Sequence, residues 1–127
     1  MKKFVFWTGI YNIVVALVIS CPWVVQLLGV PLPLSYFWLW FAAALVIYLG
    51  IALVLCSRNL KDRASLVYWE GILRIVGFFL MAGFGVFGGL GPAVTLLGII
   101  DLAIGLVYLI GLPKALNTSA KNLLLDS

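Results

Sequence analysis

Four apolar stretches, each long enough to cross a bilayer, occupy residues 4–28, 36–56, 67–87 and 92–112, and two opposite charges, Arg74 and Asp101, fall inside them. A helix needs ~20 predominantly apolar residues to span hydrocarbon, so each stretch predicts one transmembrane helix. Water is absent at that depth, and a charge there costs ~2.5–3.5 kcal/mol at the bilayer centre on the insertion scale. Arg74 and Asp101 therefore need partners, and the simplest partner for each is the other.

Composition excludes a soluble fold. The 127 residues are 65% hydrophobic and 9% charged, with mean hydropathy +1.25, whereas soluble domains carry about 25% charged residues. One domain is expected, an all-α integral membrane antiparallel four-helix bundle over residues 1–113, followed by a tail at 114–127. The net charge of +4 does not point to nucleic acid, because the basic residues are too scattered to track phosphates. They serve better as topology signals. Lys2 and Lys3 precede the first span, Arg58, Lys61 and Arg63 lie between the second and third, and Lys114 and Lys121 follow the fourth; the loops near 30–35 and 88–91 have none. Basic side chains are retained on the cytoplasmic side during insertion, so both termini and the middle loop are expected to be cytoplasmic. Trp23, Tyr36, Trp38, Tyr68 and Trp69 fall near span ends, where an amphipathic ring sits half in water.

Cys21 and Cys56 lie at opposite ends of their helices, ~20 Å apart in depth from ~1.5 Å of rise per residue, so they cannot bridge. Two thiols with no histidine anywhere in the chain offer no metal or haem ligand set, and no cofactor is expected. Around the first cysteine two readings stand. Val18-Ile19-Ser20-Cys21 after a Lys-Lys start resembles a lipoprotein processing site; alternatively the first helix continues uncleaved to Leu28 and bends at Pro22.

The chain also resembles itself. Residues 6–14 align without a gap on 68–76, with Trp, Gly, Ile, Ile and Val shared. Both segments enter from the same side, which fits a duplicated two-helix hairpin with its halves related by an axis along the membrane normal. Asn12 and Arg74 are then equivalent and both face inward.

Helical spacing gives the same geometry independently. Thr8, Asn12, Ala16 and Ser20 line one face of the first helix; Ala44, Tyr48, Ala52 and Cys56 the second; Glu70, Arg74, Gly77 or Phe78, Met81 and Gly85 the third; Gly98, Asp101, Gly105 and Tyr108 the fourth. Small residues and polar groups mark packed faces in lipid, where no hydrophobic force draws helices together. At ~1.5 Å per residue, Asn12, Tyr48 and Arg74 lie about 10–12 Å from the cytoplasmic ends and Asp101 about 16 Å. Glu70 stands one turn before Arg74, the favourable order for an i, i+4 pair. The expected polar seam is an Arg74–Asp101 pair assisted by Asn12, Tyr48 and Glu70. One alternative stays open, in which Arg74 snorkels to Glu70 and leaves Asp101 to its neighbours, because side chains on antiparallel helices lean in opposite directions.

Other patterns fail on context. Residues 83–88 fit a dinucleotide fingerprint letter by letter, yet no strand precedes them. No nucleophile–base or paired-carboxylate set can be assembled, so catalysis by this chain alone is not expected. The tail carries helix-capping Asn117, Thr118 and Ser119 and then 123–125 Leu-Leu-Leu beside Lys121, which predicts either a short amphipathic segment or a frayed end.

Tyr11-Asn12, the stretch from Pro22 through Gly29-Val30-Pro31-Leu32-Pro33, the Gly50 region and the segment from Asp101 to Gly105 resemble small bacterial four-helix membrane proteins of the DoxX-like type. The resemblance implies a compact four-helix protein of the kind sometimes associated with respiratory or redox complexes through quinone-linked partners. It assigns no functional residues. Two functions follow as expectations: an accessory or assembly subunit that docks on another membrane protein or on itself, surrounded by membrane lipids, or a binder or proton-linked carrier of a small hydrophobic molecule through the seam. Closure of the polar side chains on one another favours the first, and a pocket of ~300 Å³ or more beside them favours the second.

Overall fold

A computed structural model describes residues 1–125, and these form an all-α bundle of six helices: α1 (Lys2–Ile19), α2 (Pro22–Leu27), α3 (Tyr36–Arg58), α4 (Leu60–Val86), α5 (Pro92–Ala115) and α6 (Ala120–Leu125). Helices α1, α3, α4 and α5 are long and apolar enough to cross a membrane. They run alternately up and down. The starts of α1 and α4 and the ends of α3 and α5 therefore share one end of the bundle, where Lys2, Lys3, Arg58, Lys61, Arg63 and Lys114 gather; this is termed the basic end below.

Three boundaries differ from the sequence expectation. The expected 4–28 helix is two helices, because Pro22 lacks a backbone donor and its ring clashes with the preceding turn. Cys21 takes the extended conformation usual before proline, at φ −100° and ψ 100°. The Ser20 carbonyl at this break accepts a hydrogen bond from the Trp40 indole of α3 at 3.2 Å. The third span starts at Leu60 rather than at residue 67, so Lys61 and Arg63 ride on a helix instead of a loop. Leu60, Ala64 and Val67 are buried, and their i, i+4, i+7 spacing gives the added turns a core-facing stripe. Only Asn59 then separates α3 from α4, and the Arg63 guanidinium fastens the corner by donating to the Leu55 carbonyl at 2.6 Å. At the far end of the chain, α5 continues three residues beyond the expected 112.

The bundle consists of two hairpins. Helix α1 packs on α3, and α4 on α5, while the hairpins lie against each other more loosely. Each hairpin is pinned by a glycine crossing. A Cβ placed on Gly9 would stand 2.7 Å from the Gly50 carbonyl oxygen, and one on Gly50 2.7 Å from that of Gly9; in the second hairpin a Cβ on Gly105 would stand 2.9 Å from the Gly71 oxygen. Backbones this close require glycine at the crossing. Gly9 and Gly71 are equivalent in the internal repeat, so the repeated sequence corresponds to a repeated contact.

The inward stripe on α3 differs from the expected Ala44, Tyr48, Ala52 and Cys56. Ala43, Gly50 and Ser57 are buried, with Leu53 and Cys56 between them, while Ala44 and Tyr48 are exposed. A four-residue repeat drifts by about 40° per step at 3.6 residues per turn, whereas a seven-residue repeat drifts by only ~20°. Over the length of α3 the four-residue stripe leaves the contact face.

The apolar core lies toward the basic end. Val5, Val67, Tyr108 and Leu112 are fully buried there, joined by Leu53, Cys56 and Leu60. The tail adds to it: Leu123 of α6 is buried, and the Trp69 indole of α4 donates to the Leu124 carbonyl at 3.0 Å. Residues Ala120–Leu125 form a helix with Leu123 buried and Leu125 exposed, and residues 126 and 127 lie outside the described part. Cys21 and Cys56 are both free.

Substitution of Gly9 or Gly50 by alanine is expected to lower the unfolding midpoint in detergent micelles, at a cost of about 1–3 kcal/mol from overpacking. Alanine at Gly83, which has nothing within 4 Å of an added Cβ, is expected to leave the midpoint unchanged or raise it.

Candidate functional site

Above the apolar core three of the four long helices bring together Asn12 of α1, Glu70 and Arg74 of α4 and Asp101 of α5. Arg74, only 4% exposed, is the centre. Its Nε donates to the Glu70 carboxylate at 2.9 Å, one Nη to Asp101 Oδ1 at 2.7 Å, and the other Nη to Asn12 Oδ1 at 2.9 Å. The guanidinium is a rigid planar fork with five N–H groups, which lets one residue hold partners in three directions at once. Glu70 sits one turn before it on the same helix, as the i, i+4 geometry requires. Asn12 and Arg74, equivalent in the internal repeat, meet across the boundary between the hairpins.

The expected Arg74–Asp101 pair therefore forms together with the Glu70 contact, and the snorkelling alternative does not apply as a choice between the two. Arg74 leans toward the basic end along α4 while Asp101 leans away from it, yet the guanidinium meets both carboxylates, with Nε on Glu70 and one Nη on Asp101. Among the described residues no buried side-chain nitrogen or oxygen lacks a hydrogen-bond partner, so the cluster escapes the cost of an orphaned polar group.

Tyr48 does not join it. The side chain is 70% exposed, because position 48 lies two residues, or about 200° at 3.6 residues per turn, from the Gly50 contact. The polar seam comprises Asn12, Glu70, Arg74 and Asp101, without Tyr48.

A hydroxyl pair the seam reasoning did not include lies closer to the basic end. Thr8 donates to the Val5 carbonyl at 2.9 Å and accepts from the Tyr108 hydroxyl, linking α1 to α5. Tyr108 is fully buried and also meets the Phe4 ring edge-on, with centroids 5.6 Å apart. Both residues fall on the polar stripes in the sequence; what could have singled them out is that each lies on the same face as its helix's polar group, Thr8 one turn from Asn12 and Tyr108 two turns from Asp101.

On its other side the cluster borders a cavity of about 210 Å³, walled by all four long helices and including Tyr11, Asn12, Glu70, Arg74, Gly77 and Asp101. Glu70 also borders a second cavity of about 180 Å³, reaching toward Cys56 and Leu66. The signal for Tyr11 was available in its spacing, since Tyr11, Val15 and Ile19 form an i, i+4, i+8 row next to the Asn12 row. Among the described residues no group of three metal-ligating side chains occurs.

Compared with known proteins, the chain matches no family model, no curated protein and no solved structure.

Arg74→Leu is expected to destabilise the protein by about 3–5 kcal/mol, the range for removing one partner from a buried ion pair, because two carboxyl groups lose their counter-charge. Arg74→Lys is expected to recover only part of this, a single ammonium being unable to hold all three partners. Tyr48→Phe is expected to stay within about 0.5 kcal/mol of the parent, as exposed substitutions do. Denaturant unfolding in micelles checks all three.

Proposed function

We propose that this chain is a multi-pass protein of a bacterial cytoplasmic membrane, with both termini in the cytoplasm, that acts without catalysis of its own as an accessory or assembly subunit. The observation that supports it most is the closure of Asn12, Glu70 and Asp101 on the Arg74 guanidinium. Polar groups satisfied by one another fix register and partner choice between helices, and here they join Asn12 of the first hairpin to Arg74 of the second. The resemblance to DoxX-like proteins supports the same reading, with a membrane-protein partner or a second copy of the chain as what the outward faces meet. Orientation rests on the basic end, since retained positive charge marks the cytoplasmic side.

A second reading, a binder or proton-linked carrier of a small hydrophobic molecule, is favoured by one observation: the cavity against the same cluster. At about 210 Å³ it lies below the ~300 Å³ of most small-molecule pockets, which keeps this reading second.

Purification of the intact chain from its own membrane in mild detergent, followed by native mass spectrometry, tests the proposal. A stoichiometric membrane-protein partner or a defined homo-oligomer is expected, and Asp101→Asn is expected to loosen that assembly. A monomer accompanied by lipid alone would overturn the subunit reading. Impermeant thiol labelling of single cysteines placed at residues 61 and 89 is expected to modify the second only, in intact cells.

A further inference from the structure

The strongest unassigned feature is the edge of Asp101 that faces the cavity. Its Oδ1 is held by Arg74 at 2.7 Å. Its Oδ2 lies on the Gly77 side, 3.8 Å from where a Cβ on that glycine would stand, and both residues line the cavity. The Asp101 side chain is 22% exposed against 4% for Arg74, so the carboxylate is the more open of the two charges. Because residue 77 has no side chain, nothing from that position screens Oδ2 from the cavity.

Charge arithmetic adds a direction. The groups facing this space are the Tyr11 hydroxyl and Asn12 amide from α1, Glu70 and Arg74 from α4, and Asp101 from α5, with α3 contributing only apolar side chains. Two carboxyl groups stand against one guanidinium, which leaves the cluster one positive charge short of neutrality. In a low-dielectric setting such a shortfall is costly and draws a compensating charge. A proton can supply it, but a proton needs no cavity. The walls formed by Val15, Ile19, Val46, Leu49, Met81 and Leu97 suit an apolar body attached to the charge.

We propose that this cavity binds a small organic cation, an ammonium group on a compact apolar body, with the charged head on Asp101 Oδ2. The proposal rests on the second reading above, that the cavity takes a ligand, and names the chemical class of that ligand. It leaves the Arg74 contacts in place, because the head meets the oxygen that Arg74 does not use.

The test uses the full chain in lipid nanodiscs and three probes of one shape: cyclohexylammonium, neutral cyclohexanol and cyclohexanecarboxylate. Each is titrated calorimetrically at neutral pH against protein-free nanodiscs as reference. Cyclohexylammonium is expected to bind about ten- to hundredfold more tightly than cyclohexanol, the range for a hydrogen bond to a charged group, and the carboxylate more weakly than either. Asp101→Asn is expected to remove that preference while leaving cyclohexanol binding in place. Should this variant fail to fold, Gly77→Ala keeps every charged group and sets a methyl beside Oδ2; it is expected to weaken ammonium binding more than cyclohexanol binding. Equal affinity for the ammonium and the alcohol, preference for the carboxylate, or a preference unaffected by whichever variant folds would overturn the cation assignment while retaining a ligand cavity. Absence of binding by all three probes would overturn the ligand reading itself, and the cation assignment with it.

Discussion

One guanidinium gathers the charged groups at the boundary between the two halves of this molecule. Each hairpin has its own glycine crossing, at Gly9/Gly50 and Gly71/Gly105, where the two backbones approach closely. What fixes one hairpin against the other above the apolar core is Arg74, bonded to Asn12 across the boundary and to Glu70 and Asp101 within its own half. Because these bonds diverge from a planar fork, the position of any one partner constrains the others. The looseness of the remaining contact between hairpins then becomes a source of space: the core closes the basic end, and the cavity lies on the far side of the cluster.

The charge pattern and the packing pattern divide the work. Apolar burial by Val5, Val67, Tyr108 and Leu112 holds the basic end without direction, as hydrophobic contacts do. Hydrogen bonds and ion pairs supply direction, and they lie one to two turns further along each helix. The Thr8–Tyr108 hydroxyl contact sits between the two regions and ties α1 to α5, beside the edge-on contact of Phe4 with Tyr108. The Thr8–Tyr108 and Asn12–Arg74 contacts thus connect α1 to the second hairpin and Arg74–Asp101 connects α4 to α5, while α3 is held through α1 and through its one-residue corner at Asn59.

Much of this arrangement was legible in the sequence. Apolar length gave four helices, and spacing placed Asn12, Glu70, Arg74 and Asp101 on faces that meet, because a four-residue repeat over two or three turns stays near one side. The same rule misplaced Tyr48: along the longer α3 the drift accumulates, and the seven-residue row through Ala43, Gly50 and Ser57 is the one that stays in contact. The start of α4 was obscured for a different reason. Lys61, Asp62 and Arg63 read as a loop by polarity, while the Leu60, Ala64 and Val67 stripe that makes them helical is only three residues long. The cavity had no sequence signature, since it follows from how far two hairpins stand apart rather than from any residue type.

The placement of Glu70 one turn before Arg74 bears on how such a chain is made. Synthesis runs from the amino terminus, so the segment bearing Arg74 is complete while Asp101 has yet to be joined to the polypeptide. On α4 the acidic group within reach of Arg74 is Glu70, in register through its 2.9 Å bond to Nε. The arginine therefore has one counter-charge encoded in its own helix, ahead in the chain of the second carboxylate that α5 brings.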